Sequence, residues 1–331
     1  MHQLAPISAT GHRGGQDARV REDVKMKTRM FAVLAGSLLA PVAAQAGEYV
    51  FTQIDYPGAS QTQVFGVNNR GEVAGIGLGT VVSPFTYKWE EGTFTDVPPV
   101  ADDRATYVLG INDAHVLVGS AFSTDGTVQS GVVRRTDGTY TLFDHPDAVT
   151  ITQARGINDQ GMVAGYHDRA DGTTIGFVYR PGTGNFLDIV PSTMTLAHGI
   201  NVAGEIVGSA QLNQGEACPR APADSYGWVR RTNAEIHFFR VNGLFTQARG
   251  INDRGVIAGT VLDDAGIRRG YTARIVGPEP CQAVVVPPAR LIQFPGWDAT
   301  IPEGITNTGV IVGIVYNNID GIQHGFVAVP Q

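Results

Sequence analysis

The sequence predicts an all-β fold assembled from one repeated unit, and three observations carry that prediction. A ten-residue phrase recurs six times along the chain. Short period-2 runs bounded by turn residues surround each copy. Between residues 47 and 331 no segment longer than ten residues has helical periodicity.

The phrase is Gly-Ile-Asn-Asp-x-Gly-x-Val-x-Gly. It begins at Gly66, Gly110, Gly156, Gly199, Gly250 and Gly304, with spacings of 44, 46, 43, 51 and 54 residues. A period of that size suits four short strands per unit. The run before each phrase, such as Thr152 to Ile157, reads as strand a. The Asn-Asp-x-Gly core reads as a tight turn, because Asn and Asp bond nearby backbone and Gly takes a positive φ. The Val-x-Gly half opens strand b. Strand c carries a small-aromatic pair at Gly176-Phe177, Gly227-Trp228, Gly270-Tyr271 and Gly325-Phe326, with Pro84-Phe85 and Gly131-Val132 in the first two units. Strand d is a short β-rich run such as Tyr140 to Phe143.

The two ends complement each other. Tyr49 to Tyr56 reads as a d strand with nothing before it, and the last unit stops after its c strand. Together they make one complete blade, which removes the exposed sheet edges. The expected architecture is a six-bladed β-propeller of four-stranded antiparallel blades, closed by the N-terminal strand completing the last blade. A β-solenoid or an incomplete ring is the alternative.

Residues 1–46 read as a leader and signal peptide. An apolar stretch over residues 31–46 follows Lys25, Lys27 and Arg29 and ends in Ala44-Gln45-Ala46. That is a small-x-small cleavage pattern, which places the cut after Ala46. Met26 opens a segment that looks like the natural start. The expected product is one domain, 47–331, secreted to an extracellular or periplasmic location, with no transmembrane segment. Removing the leader takes away six cations and three anions, leaving 18 Lys and Arg against 28 Asp and Glu. A net charge of −10 argues against nucleic acid as a partner. Cys218 and Cys281, both in Pro-bearing loops, are the disulfide candidate of an exported chain.

Six such phrases behind an export signal resemble the bacterial extracellular HAF repeat family, over residues 49–331. The His-Ala-Phe triplet that names that family survives only as His324-Gly325-Phe326. Ser83, Ser130, Ile175, Tyr226 and Arg269 stand in its first position elsewhere. The resemblance implies an exported repeat protein and no general activity. Many members resembling this chain end in a surface-sorting tail near the position of Val329-Pro330-Gln331.

Residues present in every unit are expected to hold the structure together. Thr stands four residues before each phrase (Thr62, Thr106, Thr152, Thr195, Thr246, Thr300) and Gly closes it (Gly75, Gly119, Gly165, Gly208, Gly259, Gly313). The hydroxyls bond a neighbouring strand in this reading, or line the channel in the alternative one. Positions that break the symmetry are better ligand candidates. The residue just before the phrase is Phe65, Leu109, Arg155, His198, Arg249 and Glu303 in turn. Arg155 and Arg249 can bind a carboxylate or sulfate, and His198 can exchange a proton, all near the channel. The competing reading pairs the arginines with Glu303 as inter-blade salt bridges.

No metal is expected: the turns lack calcium spacing, no His-Glu-x-x-His occurs, and no Gly-x-Ser-x-Gly occurs. His145, within Asp144-His145-Pro146-Asp147, could serve as a ligand or a base. No cofactor is implied. Insertions in the fourth and fifth units, Gln211 to Ser225 and Gly277 to Pro288, are where repeat proteins often place specificity. The expected function is an extracellular binding or interaction module for a glycan, small anion or protein. The alternatives are an enzyme (hydrolase, lyase or isomerase) at the channel mouth, or a structural surface or matrix component.

Overall fold

The computed structural model describes residues 49–331 except 102–103, 191, 214–223 and 277–283. The leader and the cysteine pair Cys218 and Cys281 lie outside the described residues. So does most of each insertion.

The fold is all-β, a propeller arrangement of antiparallel sheets. A first strand, β1 (Tyr49–Ile54), precedes six runs of strands. The first run holds β2 (Gln61–Val67), β3 (Glu72–Leu78), β4 (Val82–Lys88) and β5 (Thr93–Asp96). The second holds β6 (Thr106–Ile111), β7 (Leu117–Phe122), β8 (Gln129–Arg134) and β9 (Tyr140–Phe143). The third holds β10 (Thr152–Ile157), β11 (Val163–Asp168), β12 (Thr174–Arg180) and β13 (Asn185–Ile189). The fourth holds β14 (Met194–Ile200), β15 (Ile206–Leu212), β16 (Asp224–Arg230) and β17 (Ile236–Phe239). The fifth holds β18 (Phe245–Ile251), β19 (Ile257–Leu262), β20 (Arg268–Val276) and β21 (Val284–Ile292). The last holds β22 (Ala299–Ile305), β23 (Ile311–Tyr316) and β24 (Gln323–Pro330), and β1 pairs antiparallel with β24. A 3-10 turn at Val241–Gly243 is the only helix among the described residues.

The sequence suggested six separate four-stranded sheets, and the hydrogen bonding departs from that. Four sheets have four strands, while the third and fourth runs share one sheet of eight. The join is a single parallel bridge between Thr174 and Met194, supported by a Thr174 amide bond to the Thr193 carbonyl (3.0 Å). A matching parallel contact, Gln129 with Ile151, links the second and third runs as an isolated bridge.

The recurring residues have definite roles. The closing Gly of each phrase pairs with the c-strand residue opposite: Gly75 with Phe85, Gly165 with Phe177, Gly208 with Trp228, Gly259 with Tyr271 and Gly313 with Phe326. Those five aromatics are fully buried. A buried Phe contributes about 2–3 kcal/mol of transfer free energy. A Cβ on Gly208 would sit 1.9 Å from the Leu196 carbonyl and 2.5 Å from the Trp228 ring, so only Gly fits there.

The recurring Thr residues are buried and do not line the channel. They accept the amide of the incoming chain: Tyr56 to Thr62, Val100 to Thr106, His145 to Thr152, Val241 to Thr246 and Phe294 to Thr300, at 2.8–3.0 Å. Each therefore latches the connection from the preceding sheet onto strand a. Thr195 differs, sharing a hydroxyl contact with Ser192 at 3.1 Å.

The Asn-Asp turns link one run to the next as well as closing on themselves. In the third turn the Asn158 side chain accepts its own turn amides from Gln160 and Met162, and its Nδ2 donates to the Asn201 carbonyl. Asn68, Asn112, Asn201 and Asn252 donate in the same way to the next run. Gly161 takes a φ of 78° in that turn, as expected. The second turn carries His115 at φ 57°, braced by a 3.1 Å contact to Glu72 of the first run.

Candidate functional site

The channel mouth follows from one irregularity repeated six times. Every pairing of strands a and b shifts register just before the phrase, for example between Ala154 and Gly156 or between Pro302 and Gly304. The extra residue of each bulge is the symmetry-breaking position, and bulges re-aim side chains. Phe65, Leu109, Arg155, His198, Arg249 and Glu303 thus converge on one cavity of about 80 Å³. The glycines beside them let the first strands approach closely. A Cβ on Gly66 would lie 2.8 Å from the Gly110 Cα, one on Gly250 would lie 3.1 Å from the Gly304 Cα, and one on Gly304 would lie 3.1 Å from the Phe65 carbonyl.

The structure brings three of the four ionisable candidates together. Glu303 is buried between two arginines, at 3.1 Å from Arg155 Nη2 and 3.1 Å from Arg249 Nη1. The sequence allowed a pairing between neighbouring units. Arg249 is such a neighbour, but Arg155 is three units away, so its bond to Glu303 crosses the channel. Gln247 Oε1 accepts from Arg249 Nη2 at 2.8 Å, and Arg155 lies over the Phe65 ring at 5.3 Å. Burial, and then the neighbouring Arg155, pull Arg249 below its ordinary pKa, while Glu303 opposes the shift.

His198 stands apart from this network. Its Nε2 is 3.2 Å from the Ser209 hydroxyl, and its Nδ1 is buried without a hydrogen-bond partner. Burial first, and then the Arg249 and Arg155 charges, hold its pKa well below the ordinary value. It is a neutral imidazole at neutral pH, and among the described residues no acid or base partner lies against it.

The other end of the channel is a separate cavity lined by the Asn-Asp turns. Backbone amides there donate to side chains of the next run: Asn69 to Asp113 (2.7 Å), Asp113 to Asp159 (2.8 Å), Val202 to Asp253 (2.8 Å), Asp253 to Asn307 (2.9 Å) and Asn307 to Asn69 (2.7 Å). The belt breaks opposite the Asp159 amide, where Val202 offers no side-chain acceptor. Burial, with the Asp113 and Asp253 charges, raises the Asp159 carboxyl above its ordinary pKa.

Two further features go beyond the sequence reading, which singled out only His145 of the second. A groove of about 300 Å³ lies between the fifth and sixth runs, lined by Arg254, Arg274, Arg290, Tyr49, Asn307 and Thr308 among others, with no carboxylate among its described lining residues. The available signal was a cation inside the fifth turn and two more on the paired strands β20 and β21. The second feature is a cluster of buried His145 and His167 with half-buried Asp188, whose ligand atoms lie within 4.8 Å of one another. The two imidazoles stack with centroids 3.6 Å apart and planes 10° apart, and both Nε2 atoms face Asp188 Oδ1, at 3.0 Å from His145 and 3.7 Å from His167. Asp188 is already bound by Arg169. The arrangement fastens the 144–151 connection to the third run. Burial and the adjacent His167 lower the His145 pKa.

No protein-family model matches the chain. No curated protein matches it either. Among solved structures it is similar to a streptogramin B lyase (10% identity, TM-score 0.46, covering 85% of this chain and 97% of that one). It is also similar to the β-propeller domain of the trilobed protease from Pyrococcus furiosus (11%, 0.46, 78% and 80%). An ulvan lyase gives 11%, 0.40, 81% and 82%. Likeness at this level carries no argument about activity. Among the described residues no helix is long and apolar enough to cross a membrane.

Proposed function

We propose that this chain is an exported binding module for an acidic glycan, held in the groove between the fifth and sixth runs. The observation that carries the reading is the exposed pair Arg254 and Arg274 on a groove of about 300 Å³, without a carboxylate among its described lining residues, on a chain of net charge −7. Ligand sites begin near roughly this volume. Arginine forks match carboxylate and sulfate groups, while Tyr49 offers a ring face and Thr308 a hydroxyl. The signal-like segment at 31–46 and the resemblance to HAF repeats support export.

The scaffold in this reading is a six-bladed ring, the eight-stranded sheet being two blades joined by one bridge. Six strand a segments around one channel support that count. The six residue pairs from Tyr49↔Pro330 to Ile54↔Gly325 support closure by β1. The enzyme alternative loses support at the channel mouth. Glu303 is occupied by two arginines, His198 is neutral and bonded to Ser209, and about 80 Å³ is too small for a sugar ring.

The test is titration of the chain with oligogalacturonate, chondroitin sulfate oligosaccharides, a neutral cello-oligosaccharide and poly-glutamate. The exposed pair Arg254→Ala and Arg274→Ala is the variant. Acidic saccharides should bind in a salt-dependent way and weaken at least about tenfold in the variant. Unchanged binding in the variant removes the groove from the reading. Equal binding of poly-glutamate would turn it toward an acidic protein partner.

A further inference from the structure

We infer that the channel mouth holds one small monovalent anion, bound between Arg155 and Arg249 beside His198. A count of charges in a desolvated place supports this, independently of the arginine groove. Two guanidinium groups face one carboxylate, with side-chain exposures of 13%, 16% and 6% for Arg155, Arg249 and Glu303. His198 adds no compensating charge. The cluster therefore carries one uncompensated positive charge, and such a charge out of water is costly unless a counter-ion joins it.

Unused donors are in place. Arg249 Nε is buried with no hydrogen-bond partner, and so is His198 Nδ1. Both residues line the same cavity. In the tautomer whose Nε2 accepts from the Ser209 hydroxyl, the neutral His198 ring carries its proton on Nδ1 and donates from there into the cavity. Buried donors without a partner are rare in folded proteins, and a bound ion satisfies them. The cavity of about 80 Å³ admits a halide or nitrate with a few waters and excludes a sugar acid. Phe65 and Leu109 supply an apolar wall on the remaining side.

The test is a thermal-shift titration of the chain with sodium chloride, bromide and nitrate, at ionic strength held constant with bulky sodium gluconate. The expected result is a rise in Tm that saturates in anion concentration. Glu303→Gln raises the local charge to two and should lower the half-saturation concentration about tenfold. Arg249→Gln brings the charge to zero and should abolish the shift. Arg155→Gln removes the same charge, and serves if the first variant does not fold. Crystals grown in bromide should show one anomalous peak in the cavity. A shift that never saturates, a Glu303→Gln variant no more sensitive than the parent, or bromide only outside the cavity would overturn the inference. Absence of glycan binding by the parent chain, with its anion response intact, would count against the groove alone.

Discussion

Replacing Val202 by Asn should close the hydrogen-bonded belt at the acidic end of the channel. Five of its links are formed at 2.7–2.9 Å, and the sixth fails because a Val side chain stands opposite the Asp159 amide. Asn already serves at two equivalent positions. Asn69 and Asn307 each accept a neighbouring amide through Oδ1 and donate through Nδ2 to an Asp carboxylate, at 3.2 and 2.7 Å. The same geometry at position 202 gives an acceptor for the Asp159 amide and a donor toward Asp253. A net intramolecular hydrogen bond is worth about 0.5–1.5 kcal/mol. Val202 is 37% exposed, so part of its apolar burial is lost in the exchange. Val202→Ala measures that loss alone. The expected outcome is Val202→Asn about 1 kcal/mol more stable than Val202→Ala, roughly 2–4 °C in Tm for a domain of this size. Val202→Asp should gain less, because it adds a carboxylate beside Asp159, whose pKa burial and then the Asp113 and Asp253 charges already raise. Urea unfolding gives the free energies, and hydrogen exchange of the Asp159 amide gives the bond directly. An Asn variant no more stable than the Ala variant, with the Asp159 amide still exchanging freely, would refute the reasoning.

Three further outcomes follow from the same structure. Thr152→Val removes the hydroxyl that accepts the buried His145 amide at 2.9 Å, and should cost about 1–3 kcal/mol in urea unfolding. Gly119→Ala would place a methyl 1.8 Å from the Tyr107 carbonyl, so the strand must shift, and a loss of about 1–3 kcal/mol or more is expected from the same measurement. The pKa of His198 is depressed by burial and by Arg249 and Arg155, and that of His145 by burial and His167. The unfolded chain therefore binds these protons first, so stability falls as pH drops below the ordinary His value near ~6.5, by up to about 1.4 kcal/mol per pH unit for each group. His198→Gln should flatten the profile between pH 7 and 5, and a slope unchanged by it would contradict the assignment.

The repeat was legible because each unit must solve the same packing problem. The phrase places Gly where strand a bulges into strand b, and Asn where the turn must reach the next run, so strand order and turn positions follow from spacing alone. The sharing of one sheet by the third and fourth runs was not legible. It depends on a parallel bridge of one residue pair, Thr174 and Met194; the matching contact between the second and third runs, Gln129 with Ile151, stays an isolated bridge. The role of the recurring Thr was half legible. Its burial follows from its place in strand a, but its partner is an amide five to seven residues upstream, and no side-chain pattern marks that amide.

The candidate site shows how an asymmetric centre arises from a symmetric frame. The bulge recurs in every unit, so the frame delivers six side chains to one axis whatever their identity. Symmetry-breaking residues at that position therefore meet around one cavity. What a linear reading cannot supply is which of them meet across the channel. Residues 155 and 303 are separated by 148 positions and three units, yet the geometry puts their charged ends 3.1 Å apart. That bond consumes the carboxylate a general base would need and leaves one positive charge over. The same four residues that suggested proton chemistry as a list thus describe anion chemistry once their distances are known.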